Sequence, residues 1–373
     1  MLACSLWSAE FPAAAELAAE QVTVAKMPPP HADRLFLTDV AIPHLHDGKV
    51  VIIDGRSLKV EGLVSTSAFA QTTLSPDRSE LYAVTTYYTK LNRGERSEWI
   101  LVYDVGTLAL KQEIPYPAHH AEALPYIGTL RTSADGRFIY AQNSTPASSI
   151  SIVDRQAGRQ VEEVQTPGCY MVYPAASSHR VSTLCGDGTM LTLTLDGDGH
   201  VASKHKSAKF FDPEANALFV SAVQDGDTYH FVSFLGDIVA VDVGGETARA
   251  AAPWHLVPAA EAKQGWRPGG YQPIALHARS GTLYVAMHPH GTEGSHKDPA
   301  KEIWVYDLRA HQRVGRTVTP AATGVTVGSG EAPRVFAFDA ANGSITAFTG
   351  LRKLVRERTE GGFGDTPTQM EAQ

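Results

Sequence analysis

The chain has 373 residues, with 40 acidic against 32 basic side chains and a formal charge of −8. No basic run exceeds a few residues, which argues against a phosphate-tracking nucleic-acid surface, and no stretch approaches the roughly 18 apolar residues of a membrane-spanning helix. Hydrophobic residues make up 43% and charged residues 19%, with 32 Gly and 22 Pro spread throughout, a mix that suits many short strands and turns.

The chain opens on an Ala-rich apolar piece, Met1 to Ala19, with a small-residue cleavage pattern around Ala13 to Ala15. No Lys or Arg precedes it and Glu10 interrupts it, so residues 1–20 read as a secretion-signal remnant or a disordered arm. From there a unit recurs. Short alternating strands, mostly closed by aspartate, appear as VVIID to Asp54, ILVYD to Asp104, ISIVD to Asp154, LTLTLD to Asp196, IVAVD to Asp242 and IWVYD to Asp307, with a weaker SITAF running to Thr349. The steps are 50, 50, 42, 46, 65 and 42 residues, close to the length of one four-stranded blade. One such sheet cannot bury both apolar faces until neighbours pack on each side. Seven units therefore predict an all-β, seven-bladed propeller of antiparallel four-stranded blades, one domain over residues 21–361, with the polar, Gly-containing residues 362–373 as a tail.

Turn chemistry supports each unit. Ser75-Pro76-Asp77 and Asp135-Gly136 reverse the chain ahead of ELYAVTT and RFIYAQN, and Gly281 and Asn342-Gly343 do so before TLYVAMH and SITAF. The strand-ending aspartates read as acceptors for backbone N–H groups in the next turn, since equivalent positions in successive units cannot all line one site.

Cys169 and Cys185 stand 16 apart on two adjacent antiparallel strands. A disulfide there would stabilise by about 3 kcal/mol on chain-entropy grounds and implies an oxidising compartment; two buried free thiols are the alternative. His288, His290, His296 and Asp298 are metal-ligand types at short range, but in a Gly- and Lys-rich segment that reads as a surface insertion. His44 with His46 and His119 with His120 are loop pairs without an acidic partner at helical spacing, and DGDGH from Asp196 lacks the later acidic ligand of a calcium loop. From the residues alone, the chain is a propeller without a self-contained active site.

Longer strings carry a resemblance. GWRPGGYQ (Gly265 to Gln272), MHPHGTEGSHKDPAKEIWVYD (Met287 to Asp307), TTYYTKLNRGERSEWILVYD (Thr85 to Asp104), GCYMVYP (Gly168 to Pro174) and CGDG (Cys185 to Gly188) resemble the heavy subunit of the quinoprotein amine dehydrogenases. The resemblance runs from about Gln21 to Gly361, and the insertion from Met287 and the CGDG string followed by DGHVASK are closer to the aromatic amine dehydrogenase branch than to the methylamine dehydrogenase one.

The resemblance implies a periplasmic heterotetramer of two heavy and two light subunits that oxidises primary amines, with arylalkylamines favoured, to aldehyde and ammonia. Electrons would pass to a small copper protein or a cytochrome. The tryptophan tryptophylquinone and the catalytic base would belong to the light subunit, and this chain would bind no cofactor or metal. Its five tryptophans, Trp7, Trp99, Trp254, Trp266 and Trp304, are dispersed, which suits that division. The family's channel-mouth phenylalanine aligns, through LFLTDVAIPHL, with Ile42, an apolar residue without a ring. The competing readings are a stand-alone propeller scaffold and a lactonase-like metal hydrolase.

Overall fold

Alternating strands that are apolar on both faces need a sheet on each side, and the computed structural model supplies this by stacking seven sheets around an axis. It describes residues 26–117, 119–122 and 126–373; the expected N-terminal signal or arm, with Cys4 and Trp7, lies outside them. Blade 2 shows the plan: Ala68–Leu74, Glu80–Tyr88, Arg96–Asp104 and Leu110–Tyr116 pair antiparallel in chain order from the innermost strand outward. The strands singled out by their sequence recurrence are the third strand of every blade, from Lys49–Asp54 in blade 1 to Ser344–Thr349 in blade 7.

Each of seven apolar clusters lies between two neighbouring blades. Phe36, Val50 and Ile52 of blade 1 meet Leu81, Leu101 and Tyr103 of blade 2, and the pattern repeats round to Phe336 and Phe338 of blade 7 against Leu35 and Ile53 of blade 1. A single third strand serves two of these layers: Ile150 and Ile152 face blade 4, while Val153 faces blade 2.

The turns form as their residues dictate. Ser75 Oγ donates to Asp77 at 2.6 Å and accepts the Glu80 N–H at 2.9 Å, and Ser133 makes the same pair with Asp135 and Phe138 at 2.6 and 2.9 Å. Strand-ending aspartates accept backbone N–H groups as expected, Asp54 from Arg56 at 2.9 Å, Asp154 from Gln156 and Ala157 at 2.9 and 2.8 Å, and Asp307 from Arg309 at 3.1 Å. Cys169 and Cys185 face each other across the first two strands of blade 4 and are joined as a disulfide.

The C-terminal segment departs from the expected tail. Pro367–Ala372 is the innermost strand of blade 1, pairing with Arg34–Asp39 so that Leu35 opposes Ala372 and Leu37 opposes Met370. Met370 is fully buried among Leu35, Leu37 and Phe336. Side chains from other blades bind the same strand. Gln369 donates to the Thr72 carbonyl of blade 2 at 2.7 Å, and Gln272 of blade 6 donates to the Met370 carbonyl at 2.9 Å while accepting its N–H at 3.1 Å. The ring is thus closed by pairing the last strand of the chain with its first. Near the other end, the Met27 N–H bonds the Gly106 carbonyl at 2.9 Å and the buried Arg34 donates to the Pro28 carbonyl at 2.8 Å, so the chain is fixed to the ring from residue 27 onward.

Candidate functional site

The two faces of the ring differ. One carries the short turns within strand pairs; the other carries the blade-to-blade crossings and the connections between second and third strands. On this second, loop-rich face lie the long segments 40–48, 207–222, 256–266 and 289–299. The exposed apolar side chains Ile42, Tyr87, Leu91 and Leu235 belong to it.

Asp39 organises the first of these segments. Fully buried at the end of its strand, it accepts the Ala41 N–H at 3.0 Å, the Asp365 and Thr366 N–H groups at 3.0 and 2.7 Å, and an ion pair from Lys49 at 3.0 Å. Burial by itself would raise this carboxyl; the three backbone donors and Lys49 outweigh it and hold the pKa below its ordinary value. Ala41 takes a left-handed conformation at φ 45° and turns the chain into the short helical segment Ile42–Asp47. Ile42 is left 57% exposed on the loop-rich face.

A buried charge cluster fixes the next connection. Glu98 of blade 2 accepts the His120 ring at 2.6 Å, the His120 backbone N–H at 2.8 Å and the His119 ring at 3.1 Å, and it pairs with Arg96. Arg96 also reaches Glu122 at 3.1 Å, and the Thr86 hydroxyl donates to Glu122 at 2.7 Å. The second His120 nitrogen meets the Phe69 carbonyl at 3.2 Å. Both ring nitrogens of His120 thus face oxygen atoms. The acidic partner that the histidine pair lacked at helical spacing thus comes from a neighbouring blade, 22 residues away in sequence.

The GWRPGGYQ string builds the opposite wall. Trp266 packs 5.2 Å from Trp304 between blades 5 and 6, and Arg267 lies over the Phe234 ring at 4.6 Å. Gly269 leaves room that a Cβ would take from the His288 ring and the Asp298 carbonyl, at 2.5 and 2.6 Å, and Gly270 at φ 99° approaches the Thr323 carbonyl. Tyr271 then meets Tyr126 with ring centroids 5.9 Å apart. Tyr271 stands between the two inner strand pieces of blade 6 and Tyr126 between those of blade 3, on opposite sides of the ring, so this pair bridges the mouth of the central opening.

The histidine-rich insertion does not converge. His288 is buried, with Nδ1 3.2 Å from the Pro289 carbonyl and a pKa pushed down by burial, whereas His296 stands exposed. Among the described residues no group of three His, Cys, Asp or Glu side chains could hold a metal ion.

Fold and face together define a seven-bladed propeller whose distinctive sequence strings are spent on one loop-rich face. The methylamine dehydrogenase heavy chain (MADH) family profile matches residues 31–364, and the chain belongs to that family, the heavy subunit of quinone-dependent amine dehydrogenases. The methylamine dehydrogenase heavy chain of Methylophilus methylotrophus is 25% identical over 337 residues, covering 87% of this chain and 82% of that protein. The Methylorubrum extorquens heavy chain is 24% identical over 316 residues, covering 82% and 74%. Solved structures share the fold alone. A functionally unknown protein from Desulfotomaculum acetoxidans gives a TM-score of 0.64 at 9% identity, covering 91% of this chain and 98% of that one. A putative 6-phosphogluconolactonase from Bacteroides fragilis gives 0.62 at 12%, covering 91% and 98%.

Proposed function

We propose that this chain is the heavy subunit of a periplasmic tryptophan tryptophylquinone-dependent dehydrogenase of arylalkylamines. Two heavy subunits would hold two light subunits, and a small copper protein or a cytochrome would take the electrons. The observation that carries this reading is the family match along residues 31–364. The quinone would accept the electrons of the amine; this chain would orient the light subunit and wall the route to it. The tryptophans of the heavy chain fit that division. Trp266 and Trp304 are neighbours but are closed between blades, with Arg313 and Arg316 over the Trp304 ring at 4.4 and 5.2 Å, which makes them core residues. The disulfide favours an exported protein.

The test is affinity purification from the native host. A small partner should come with this chain, carrying a quinone chromophore that bleaches on adding phenethylamine, and the chain stripped of that partner should oxidise no amine. Turnover by the partner-free chain would refute the division of labour.

Ile42 is the residue we assign to the channel wall. It keeps the wall apolar but offers no ring face, a difference of about 1 kcal/mol where aromatic pairs form. Ile42→Phe in the assembled enzyme is therefore expected to raise kcat/KM for phenethylamine about fivefold and to leave methylamine unchanged. Equal effects on both amines, or none, would remove Ile42 from the channel.

A further inference from the structure

A cavity opens on the loop-rich face beside the Tyr126–Tyr271 pair. It measures about 440 Å³ and is walled by Tyr126, Phe219, Phe234 and Tyr271, with Glu293 and Lys297 also lining it. All four rings are half-buried, and the main chain that carries three of them is tied down. Tyr271 is held by its N–H on the Thr323 carbonyl at 2.6 Å, Phe219 by its N–H on Val232 at 2.9 Å, and Phe234 by its N–H on Ala217 at 2.8 Å. The volume falls within the range of small-molecule sites, and an aromatic lining with a few polar groups is their usual composition.

The charges decide the ligand. Glu293 and Lys297 are exposed, and neither makes an ion pair with any described residue. Arg267, stacked on Phe234, adds a second cation nearby, and the His296 ring meets Phe234 edge-on at 6.3 Å. An arylalkylammonium would pair with Glu293 but face Lys297 and Arg267 with its own positive charge. An arylalkanoate would leave Glu293 opposed to its carboxylate. A ring that carries both groups matches both signs.

We propose that this cavity binds a zwitterionic aromatic ligand of the aromatic α-amino acid class, its ring among Tyr126, Phe219 and Tyr271, its ammonium at Glu293 and its carboxylate at Lys297. Such a ligand is the carboxylated parent of an arylalkylamine. The proposal does not need the light subunit, so it is tested on this chain alone and fails or stands apart from the amine dehydrogenase reading.

The experiment is calorimetric titration of the purified full-length chain with L-phenylalanine, phenethylamine and 3-phenylpropionate. Phenylalanine should bind about tenfold tighter than either analogue, the size of one charge-assisted contact. Lys297→Gln should erase the preference over phenethylamine and Glu293→Gln the preference over 3-phenylpropionate, both being surface changes that leave the core untouched. Tyr271→Leu should weaken all three ligands. Absence of saturable phenylalanine binding, equal affinity for phenethylamine, or preferences that survive both rim substitutions would overturn the assignment.

Discussion

A chain ending at Thr366 is expected to lose its cooperative unfolding transition. The deletion removes the whole strand Pro367–Ala372, leaves the inner edge of Arg34–Asp39 unpaired, and opens the cluster around Met370. Truncating a buried methionine to alanine alone costs about 2–5 kcal/mol, and each lost hydrogen bond about 0.5–1.5 kcal/mol more. The Gln369 bond to Thr72 and the Gln272 bonds to Met370 vanish with the strand, so blades 2 and 6 also feel the loss. Since domains hold only about 5–15 kcal/mol in reserve, the truncated ring should be largely unfolded or aggregated at room temperature. Urea titration followed by circular dichroism reads this directly. A truncated chain with the full-length midpoint would show that the ring closes without its last strand; Met370→Ala offers a milder version with a measurable shift.

Glu98→Ala is expected to cost about 3–5 kcal/mol, because it takes away the buried acceptor shared by the His120 ring, the His120 backbone N–H, the His119 ring and Arg96. The pH dependence gives the mechanism a signature. Burial alone would raise the Glu98 carboxyl, but the His120 ring and backbone N–H and the His119 ring together hold it below its ordinary value of 4.5. A carboxyl lowered in the folded state contributes stability that is present above its unfolded pKa and fades as pH falls through the folded one. Wild type should therefore lose stability below pH 4.5 through this group, and Glu98→Gln should lack that component while starting from a lower plateau at pH 7. Urea midpoints measured from pH 7 down to pH 3 separate the two. Parallel acid profiles for wild type and Glu98→Gln would mean that the carboxylate is not charged in the fold.

The blade count was legible because the third strands are buried on both faces and end in an aspartate that the turn needs. Nothing in ISIVD or IWVYD competes with that reading, and the structure places each in the third strand of its blade. The closing strand was not legible for a related reason. In PTQMEA, Gln369 and Met370 are buried but Glu371 lines the central opening and pairs with Arg131 at 3.2 Å, so the segment has the composition of a solvated tail. Hydrophobic alternation marks strands between two apolar layers and fails for one that borders a polar channel. The Glu98 cluster was hidden by distance, since its histidines lie on the next blade and only the ring brings them together. The cavity gathers residues from five separate segments of the chain, none of which carries a motif by itself. The disulfide pairing was within reach, because two cysteines 16 apart on one hairpin leave one geometry that joins them.

Asp39 ties two parts of the fold together. The same carboxylate that fixes the turn into Ile42 also receives the N–H groups of Asp365 and Thr366, which lead into the closing strand. Without the closing segment Asp39 would keep the Ala41 N–H and Lys49 but lose its other two backbone donors, and the turn into Ile42 would be held less firmly. Losing either of those two C-terminal contacts would therefore loosen the anchor of the turn that presents Ile42. One carboxylate near the beginning of the fold thus couples closure of the ring to the shape of its loop-rich face.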